Sequence, residues 1–181
     1  DIQAFKPSVL LVVPRVLEKV YNAASSKAGG GIKGRMFAWS AKQARTFSVA
    51  SEKTFGPGLF KKMRHGIADA LVLKKIRSVL GPNLRYIVSG GAPLATDLAH
   101  FYAGMGITLI QGYGLSETTG PISVQHIGKN PVGGVGLPLP GNFIKIAKDG
   151  EILVRGQSVM PGYYHLPEQT AEVMPDGKWF H

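Results

Sequence analysis

One run in this sequence gathers several chemical tools within eight residues: Gln111-Gly112-Tyr113-Gly114-Leu115-Ser116-Glu117-Thr118. Tyr113 offers an aromatic face on which a base can stack, and the glycines on either side leave room for it. Ser116 and Thr118 carry hydroxyls able to reach a phosphate oxygen. Glu117 is a hard oxygen ligand of the kind Mg²⁺ accepts beside phosphate groups. By composition alone the run reads equally well as an ordinary loop with a helix-capping Ser. A second segment, Ser89-Gly90-Gly91-Ala92-Pro93-Leu94, follows an expected strand and opens a helix. Its glycines allow close approach of backbone to a flat ligand, although most glycine turns after strands are plain loops. It is neither a phosphate loop with Gly-Lys-Ser/Thr nor a G-x-G-x-x-G fingerprint.

These segments need a frame. Pro7 to Val13 reads as a short buried strand, and Pro14 suits the first turn of a helix through Tyr21. A second helix is expected over Gly34 to Ala50, with Met36, Phe37, Ser40, Ala44 and Phe47 on its apolar face. A third helical region runs from Leu59 to about Val79, with Ile67, Leu71, the Lys74 stem, Ile76 and Leu80 as its buried stripe. Leu84 to Ser89 is a strand, Leu94 to Gly104 a helix, and Ile107 to Gln111 another strand. That order implies a parallel sheet with ligands at the strand ends. Beyond Pro121 glycine and proline become dense, and strands at Phe143 to Ala147 and Glu151 to Arg155 flank an Asp149-Gly150 hairpin signal. The expected fold class is therefore α/β. A parallel-sheet subdomain with flanking helices covers 1–121, and part of a small β-rich subdomain covers 122–181.

The bulk properties set limits. The 181 residues suffice for one domain or slightly more, and 44% are hydrophobic. Without cysteine there is no disulfide framework, thiolate nucleophile or Cys-based zinc site, which fits a cytoplasmic protein. No apolar run reaches the roughly 18–20 residues that span a bilayer. Asp1 and Gln3 stand where a signal peptide would be basic, and the chain reads as a piece of something longer. The net charge of +10 is concentrated between Lys27 and Arg85, where only Glu52 and Asp69 oppose the Lys and Arg residues. Such a face attracts anions, or is simply a solvated helical surface. His65, His100, His126 and His165 lack metal-ligand spacing. Trp39 reads as a packing residue, the Tyr163-Tyr164 pair as packing for the β-rich part, and Asp97 as an electrostatic support for its helix start.

Tyr113-Gly-Leu-Ser-Glu-Thr118 resembles the signature of the adenylate-forming superfamily, and Ser89 to Leu94 resembles its preceding adenine-site turn. Gly150-Glu-Ile-Leu-Val-Arg-Gly156 with Val159-Met-Pro-Gly-Tyr-Tyr164 resembles its next motif, and Asp176-Gly-Lys-Trp-Phe-His181 the start of the one after. Val13 to Tyr21 and the basic helical stretch are similar to the long-chain fatty acyl-CoA synthetase branch of AMP-forming ligases.

The resemblance implies a fragment of the superfamily's large N-terminal domain, its last part belonging to a distorted β-barrel. It implies that Gly91, Ala92 and Pro93 line the adenine and ribose side, and that Gln111, Gly112, Tyr113 and Gly114 hold the adenine. Ser116 would contact the α-phosphate with Thr118 beside it, and Glu117 would ligate Mg²⁺. ATP, CoA and a long-chain fatty acid are the implied substrates. The reaction would form an acyl-adenylate and pyrophosphate, then a thioester and AMP. Small residues at Ser89, Gly90, Gly112 and Gly114 would leave space for a long chain. The family's phosphate loop, ribose-binding Asp and catalytic Lys are not in the sequence, so this piece is expected not to turn over alone. Other acids (aryl, short-chain or amino acids) suit the same signature. A non-catalytic basic module on membrane or nucleic acid is the reading from another class. Peripheral contact with anionic membrane is compatible with the enzyme reading, and no specific nucleic acid is expected.

Overall fold

A computed structural model describes residues 5–128 and 131–181. Asp1 and Gln3, read above against a signal peptide, lie outside them. Strand β1 (Val9–Val12) is followed by helices α1 (Pro14–Ala28) and α2 (Gly31–Ser51). Next come α3 (Leu59–Ala68), a π-helical turn (Asp69–Leu73) and α4 (Lys74–Leu80). Then β2 (Tyr86–Ser89), α5 (Thr96–Gly104) and β3 (Thr108–Leu115) complete a strand–helix–strand unit. A 3₁₀ turn (Ser116–Thr118), β4 (Gly120–Val124) and β5 (Leu137–Pro138) follow, then the hairpin β6 (Asn142–Ile146) and β7 (Ile152–Gly156), and α6 (Pro167–Val173). The class is α/β, as the alternation of patterns implies.

The five-stranded sheet has the order β1-β2-β3-β4-β5. The first three strands are parallel, and β4 and β5 turn antiparallel. The division expected at 121/122 falls inside β4. Hairpin β6–β7 is a separate two-stranded sheet closed by Asp149, whose Oδ1 accepts the Glu151 N–H at 3.1 Å, and by Gly150 at φ +94°.

The buried-strand reading of β1 needs correction. Leu10 and Val12 pack on the helical core, but Val9 is 55% and Leu11 77% exposed. An apolar run reads as buried on both faces, whereas β1 is the outermost strand, and only its helix-facing side is covered.

Pro14 begins α1 because its missing N–H is an orphan at that position anyway. Leu17 is buried, and its carbonyl accepts the Tyr102 hydroxyl at 2.8 Å, tying α1 to α5. Helix α2 buries Phe37, Ser40, Ala41, Ala44 and Ser48, a stripe at helical spacing, while Met36 and Phe47 are only half-buried. Helix α5 crosses α2 so closely that a Cβ on Gly104 would fall 2.0 Å from the Ala44 carbonyl oxygen. His65 donates from Nε2 to the Gly104 carbonyl at 2.6 Å and stacks on Phe47, and His100 pairs with the Ser48 hydroxyl at 3.0 Å. Trp39 packs against the core and Asp97 lies in the first turn of α5.

The segment 59–80 is continuous, but its expected stripe is wrong in the first half. Ile67 is 48% and Leu71 42% exposed, and the buried residues are Ala68, Leu73, Ile76 and Leu80. Ile67 and Ile76, like Leu71 and Leu80, stand about 180° apart on a regular helix, so the two halves of that stripe do not share a face. In the π turn the Lys74 N–H reaches back to the Asp69 carbonyl, adding one residue. Ala68 and Leu73, five apart, then share the inner side. Arg77 holds the turn through both oxygens of Asp69 and donates from Nη1 to the Met105 carbonyl at 2.7 Å. The Arg77 hydrogen bond holds the Asp69 carboxyl below the usual carboxylate range, outweighing the upward push of desolvation.

Three substitutions test this packing. Gly104→Ala is expected to destabilise the protein by about 1–3 kcal/mol, read by urea unfolding, because the Ala44 backbone cannot yield. Gly66→Ala, where an added Cβ meets nothing within 4 Å, should instead be neutral or stabilising. Asp69→Asn should cost on the order of 1 kcal/mol at neutral pH, since the pair is partly solvent-screened. The Asp69 pKa is lowered on folding, so its contribution is present above the unfolded-state value and lost as pH falls through the folded one. The gap between the two proteins in unfolding free energy should therefore close on acidification through and below the carboxylate range.

Candidate functional site

The parallel register aligns three strand ends: Val12 pairs with Ser89, and Ser89 with Gln111. The segments that leave these ends, Val13-Pro14, Gly90 to Pro93 and Gly112 onward, therefore emerge along one edge of the sheet. That edge is where ligands bind in open α/β sheets. Gly91, Ala92 and Pro93 are exposed there, and Gly91 has φ +80°, a conformation glycine tolerates.

The strand expected to end at Gln111 in fact continues through Leu115. Strand β4 extends it, pairing Gly112 with Val124 and Tyr113 with Ser123, then, past an irregularity, Gly114 with Pro121 and Leu115 with Gly120. The glycines have a different purpose from the one expected. A Cβ on Gly114 would lie 2.1 Å from the Gly120 carbonyl oxygen, and one on Gly112 3.3 Å from that of Ser123. The space beside both belongs to β4, not to a ligand chain. A Cβ on Gly90 would make ordinary contact with the Gly112 carbonyl oxygen at 3.4 Å. Ser89 is buried, and among the described residues its hydroxyl has no hydrogen-bond partner.

Gln111 is buried, its N–H donates to Gln125 Oε1 at 2.9 Å, and its carbonyl accepts the Gln125 N–H at 2.9 Å. Its polar backbone is thus spent inside the sheet. Tyr113 is half-buried against a small cluster of Ile122, Val154 and Phe180.

The Ser116–Thr118 turn divides its hydroxyls between two uses. Ser116 is exposed. Thr118 is fully buried: its hydroxyl accepts the Leu115 N–H at 2.8 Å and donates to the Gly120 carbonyl at 2.7 Å. It builds the turn and presents nothing to a phosphate. Thr119 follows at φ +53°, an uncommon region for a β-branched residue.

A later segment holds this turn in place. The Met160 N–H donates to the Glu117 carbonyl at 2.7 Å, and the Thr119 hydroxyl donates to the Ser158 carbonyl at 2.9 Å. Tyr163 donates its hydroxyl to Glu117 Oε1 at 2.9 Å. That hydrogen bond is the main reason the phenol pKa is pushed up, since ionisation would set a phenolate beside a carboxylate. The expectation that Tyr163 and Tyr164 both pack the β-rich part is corrected here. Tyr163 reaches the turn, and Tyr164 is 86% exposed. No spacing in the sequence signals this contact.

The donor set suits Mg²⁺. Among the described residues no hydrogen bond reaches Glu117 Oε2, and no three metal-ligating side chains cluster anywhere. One free carboxylate oxygen completed by phosphate and water is how Mg²⁺ is commonly held at nucleotide sites. A cavity of about 690 Å³ lies elsewhere, between the end of α2, the start of β3 and residues that include Gln125, Ile127, Pro131 and Val132.

Residues 1–164 match the profile of the AMP-binding enzyme family. The long-chain-fatty-acid–CoA ligase FadD15 of Mycobacterium tuberculosis is 48% identical over 176 residues, which is 97% of this chain and 29% of that protein. Long chain acyl-CoA synthetase 8 of Arabidopsis thaliana is 34% identical over 202 residues, covering 100% of this chain and 27% of its own length. The chain thus spans under a third of these relatives. Among solved structures, o-succinylbenzoate CoA synthetase of Bacillus subtilis aligns with TM-score 0.51 at 26% identity, over 60% of this chain and 25% of that one. A benzoate CoA ligase of Burkholderia xenovorans aligns over 97% of this chain and 28% of its own, with TM-score 0.54 and 17% identity, a likeness of fold.

Proposed function

The chain belongs to the AMP-binding enzyme family, and on that premise we propose that its parent protein is a long-chain fatty-acid–CoA ligase. The observation that carries the reading is the turn at the end of β3. It presents the Ser116 hydroxyl and one oxygen of Glu117 just past β3, the strand paired in register with the one that leads into Gly90 to Pro93, in a chain 48% identical over 176 residues to a long-chain ligase.

In this reading ATP lies along the strand-end edge. Gly91, Ala92 and Pro93 form one wall for adenine and ribose. Gly112, Tyr113 and Gly114 form the other, with the Tyr113 ring against the base. Gln111 acts by anchoring that wall through Gln125. Ser116 donates to an α-phosphate oxygen, and Glu117 holds Mg²⁺, while Thr118 keeps the turn in shape. Mg²⁺, when bound, offsets negative charge on the phosphate oxygens. The substrate carboxylate attacks the α-phosphorus, pyrophosphate leaves, and the CoA thiol then displaces AMP from the acyl-adenylate. Preorganised donors at the α-phosphate stabilise charge that grows in the first step.

An aryl-acid or amino-acid specificity would use the same turn. The long-chain reading is favoured by the similarity to long-chain ligases across nearly the whole chain. In the full-length enzyme, palmitate is expected to suppress turnover of a labelled long-chain acid at concentrations where benzoate has no effect. Stronger competition by benzoate would overturn the assignment.

A second feature favours work at a membrane surface, from the cytoplasmic side. On α3, Leu59 is 84%, Phe60 65% and Met63 55% exposed, beside Lys61, Lys62 and Arg64. Apolar side chains bordered by cations suit the interface of an anionic bilayer, where a long-chain acid partitions. No helix among the described residues is long and apolar enough to cross a membrane. Replacing Lys61, Lys62 and Arg64 together by Glu should weaken binding to phosphatidylserine vesicles by roughly 100-fold, taking about 1 kcal/mol for each cation lost. Vesicle binding that does not change would remove this reading.

A further inference from the structure

We propose that Tyr163 is a positioning residue for the cation site: its hydroxyl fixes the Glu117 carboxylate so that one oxygen is occupied and the other is left for a divalent cation. The inference rests on the reading of Glu117 as a Mg²⁺ ligand and adds a residue that the motif around Glu117 does not contain. Three observations carry it.

The first is selectivity of contact. Tyr163 donates to Oε1 at 2.9 Å across 46 residues of sequence, and among the described residues Glu117 has no other side-chain partner. A half-exposed Glu has several rotatable bonds, and ordering such a side chain costs up to about 2 kcal/mol. Tethering one oxygen in advance removes much of that cost from cation binding.

The second is that the tether is aligned by backbone. The Met160 N–H to Glu117 carbonyl bond and the Thr119 hydroxyl to Ser158 carbonyl bond lock the 158–163 strap onto the Ser116–Thr119 turn. The phenol therefore approaches from a fixed origin.

The third is that Tyr163 is itself held from behind. Its N–H donates to the Thr170 hydroxyl at 2.9 Å, and that hydroxyl lies 2.9 Å from the Leu166 carbonyl at the start of α6. Gly162, at φ +151°, lets Thr170 come so near that an added Cβ would sit 2.8 Å from its Cγ2. A chain of contacts thus runs from α6 through Thr170 and Tyr163 to Glu117. An outer residue of this kind typically changes metal affinity by about 10–100-fold when removed.

The test uses the full-length enzyme and Mn²⁺ as a paramagnetic probe. Mn²⁺ binding is measured by electron paramagnetic resonance in the presence of a non-hydrolysable ATP analogue. The Mg²⁺ dependence of ATP–pyrophosphate exchange is measured in parallel. Tyr163→Phe should weaken Mn²⁺ binding about tenfold and raise the Mg²⁺ requirement by a similar factor, with recovery of exchange at high Mg²⁺ and little change in KM for the acid. Thr170→Val should shift both in the same direction by less, and Tyr164→Phe should shift neither. Glu117→Gln separates the two layers of the proposal. If it weakens Mn²⁺ binding while Tyr163→Phe does not, the positioning role is wrong and the ligand role stands. If Glu117→Gln leaves Mn²⁺ binding unchanged, the ligand reading fails and the role of Tyr163 fails with it.

Discussion

The parallel pairing of β1, β2 and β3 is the constraint on which the rest depends. Because Val12, Ser89 and Gln111 lie in register, three chain segments far apart in sequence leave the sheet along one edge. Backbone hydrogen bonds set that alignment, so it does not depend on any single functional side chain. The helices serve it by covering one face: Leu17, Phe37, Leu73, Phe101 and Tyr102 belong to one core cluster that also takes in Ile87 of β2. A slip of one residue in β3 would send every side chain to the opposite face and take Tyr113 off the edge.

Strand β4 adds a second constraint, and it explains residues that look like ligand features. Gly112 and Gly114 are small because β4 comes against them, and the chain must then reverse within Ser116 to Gly120. The reversal is tight enough to put Thr119 in the left-handed region and to bury the Thr118 hydroxyl in turn-making bonds. What faces outward is then a remainder: the Ser116 hydroxyl and the Glu117 carboxylate. The chemistry of the site is carried by the groups this turn does not consume.

Much of this was legible in the sequence, for local reasons. Pro14 marks a helix start, Gly90 to Pro93 a turn and Asp149-Gly150 a hairpin, because in each case the residue type limits φ or supplies a nearby hydrogen bond. What was not legible depended on partners distant in sequence. The length of β3 is set by β4, beyond the turn. The phase of the 59–80 helix is set by Arg77 bridging Asp69 to Met105. The exposure of Leu11 follows from the face of β1 turned away from the helices, whose lack of cover composition cannot register. The site divides in the same way. Its residues could be picked out by type and placed by resemblance, but the consumption of Thr118 and Gln111 inside the fold, and the arrival of Tyr163, needed coordinates.

The π turn at Asp69–Leu73 has a consequence for how this surface can change over time. One surplus residue there rotates everything before it by about 100° relative to α4. The angle between the exposed stripe of Leu59, Phe60 and Met63 and the buried line of Ile76 and Leu80 is therefore set in part by length, not by side chain. A single-codon deletion in the turn would swing the stripe around the helix axis without altering one of its residues. The bearing of that face is thus heritable separately from its composition, like the angle of a lamp set apart from its bulb.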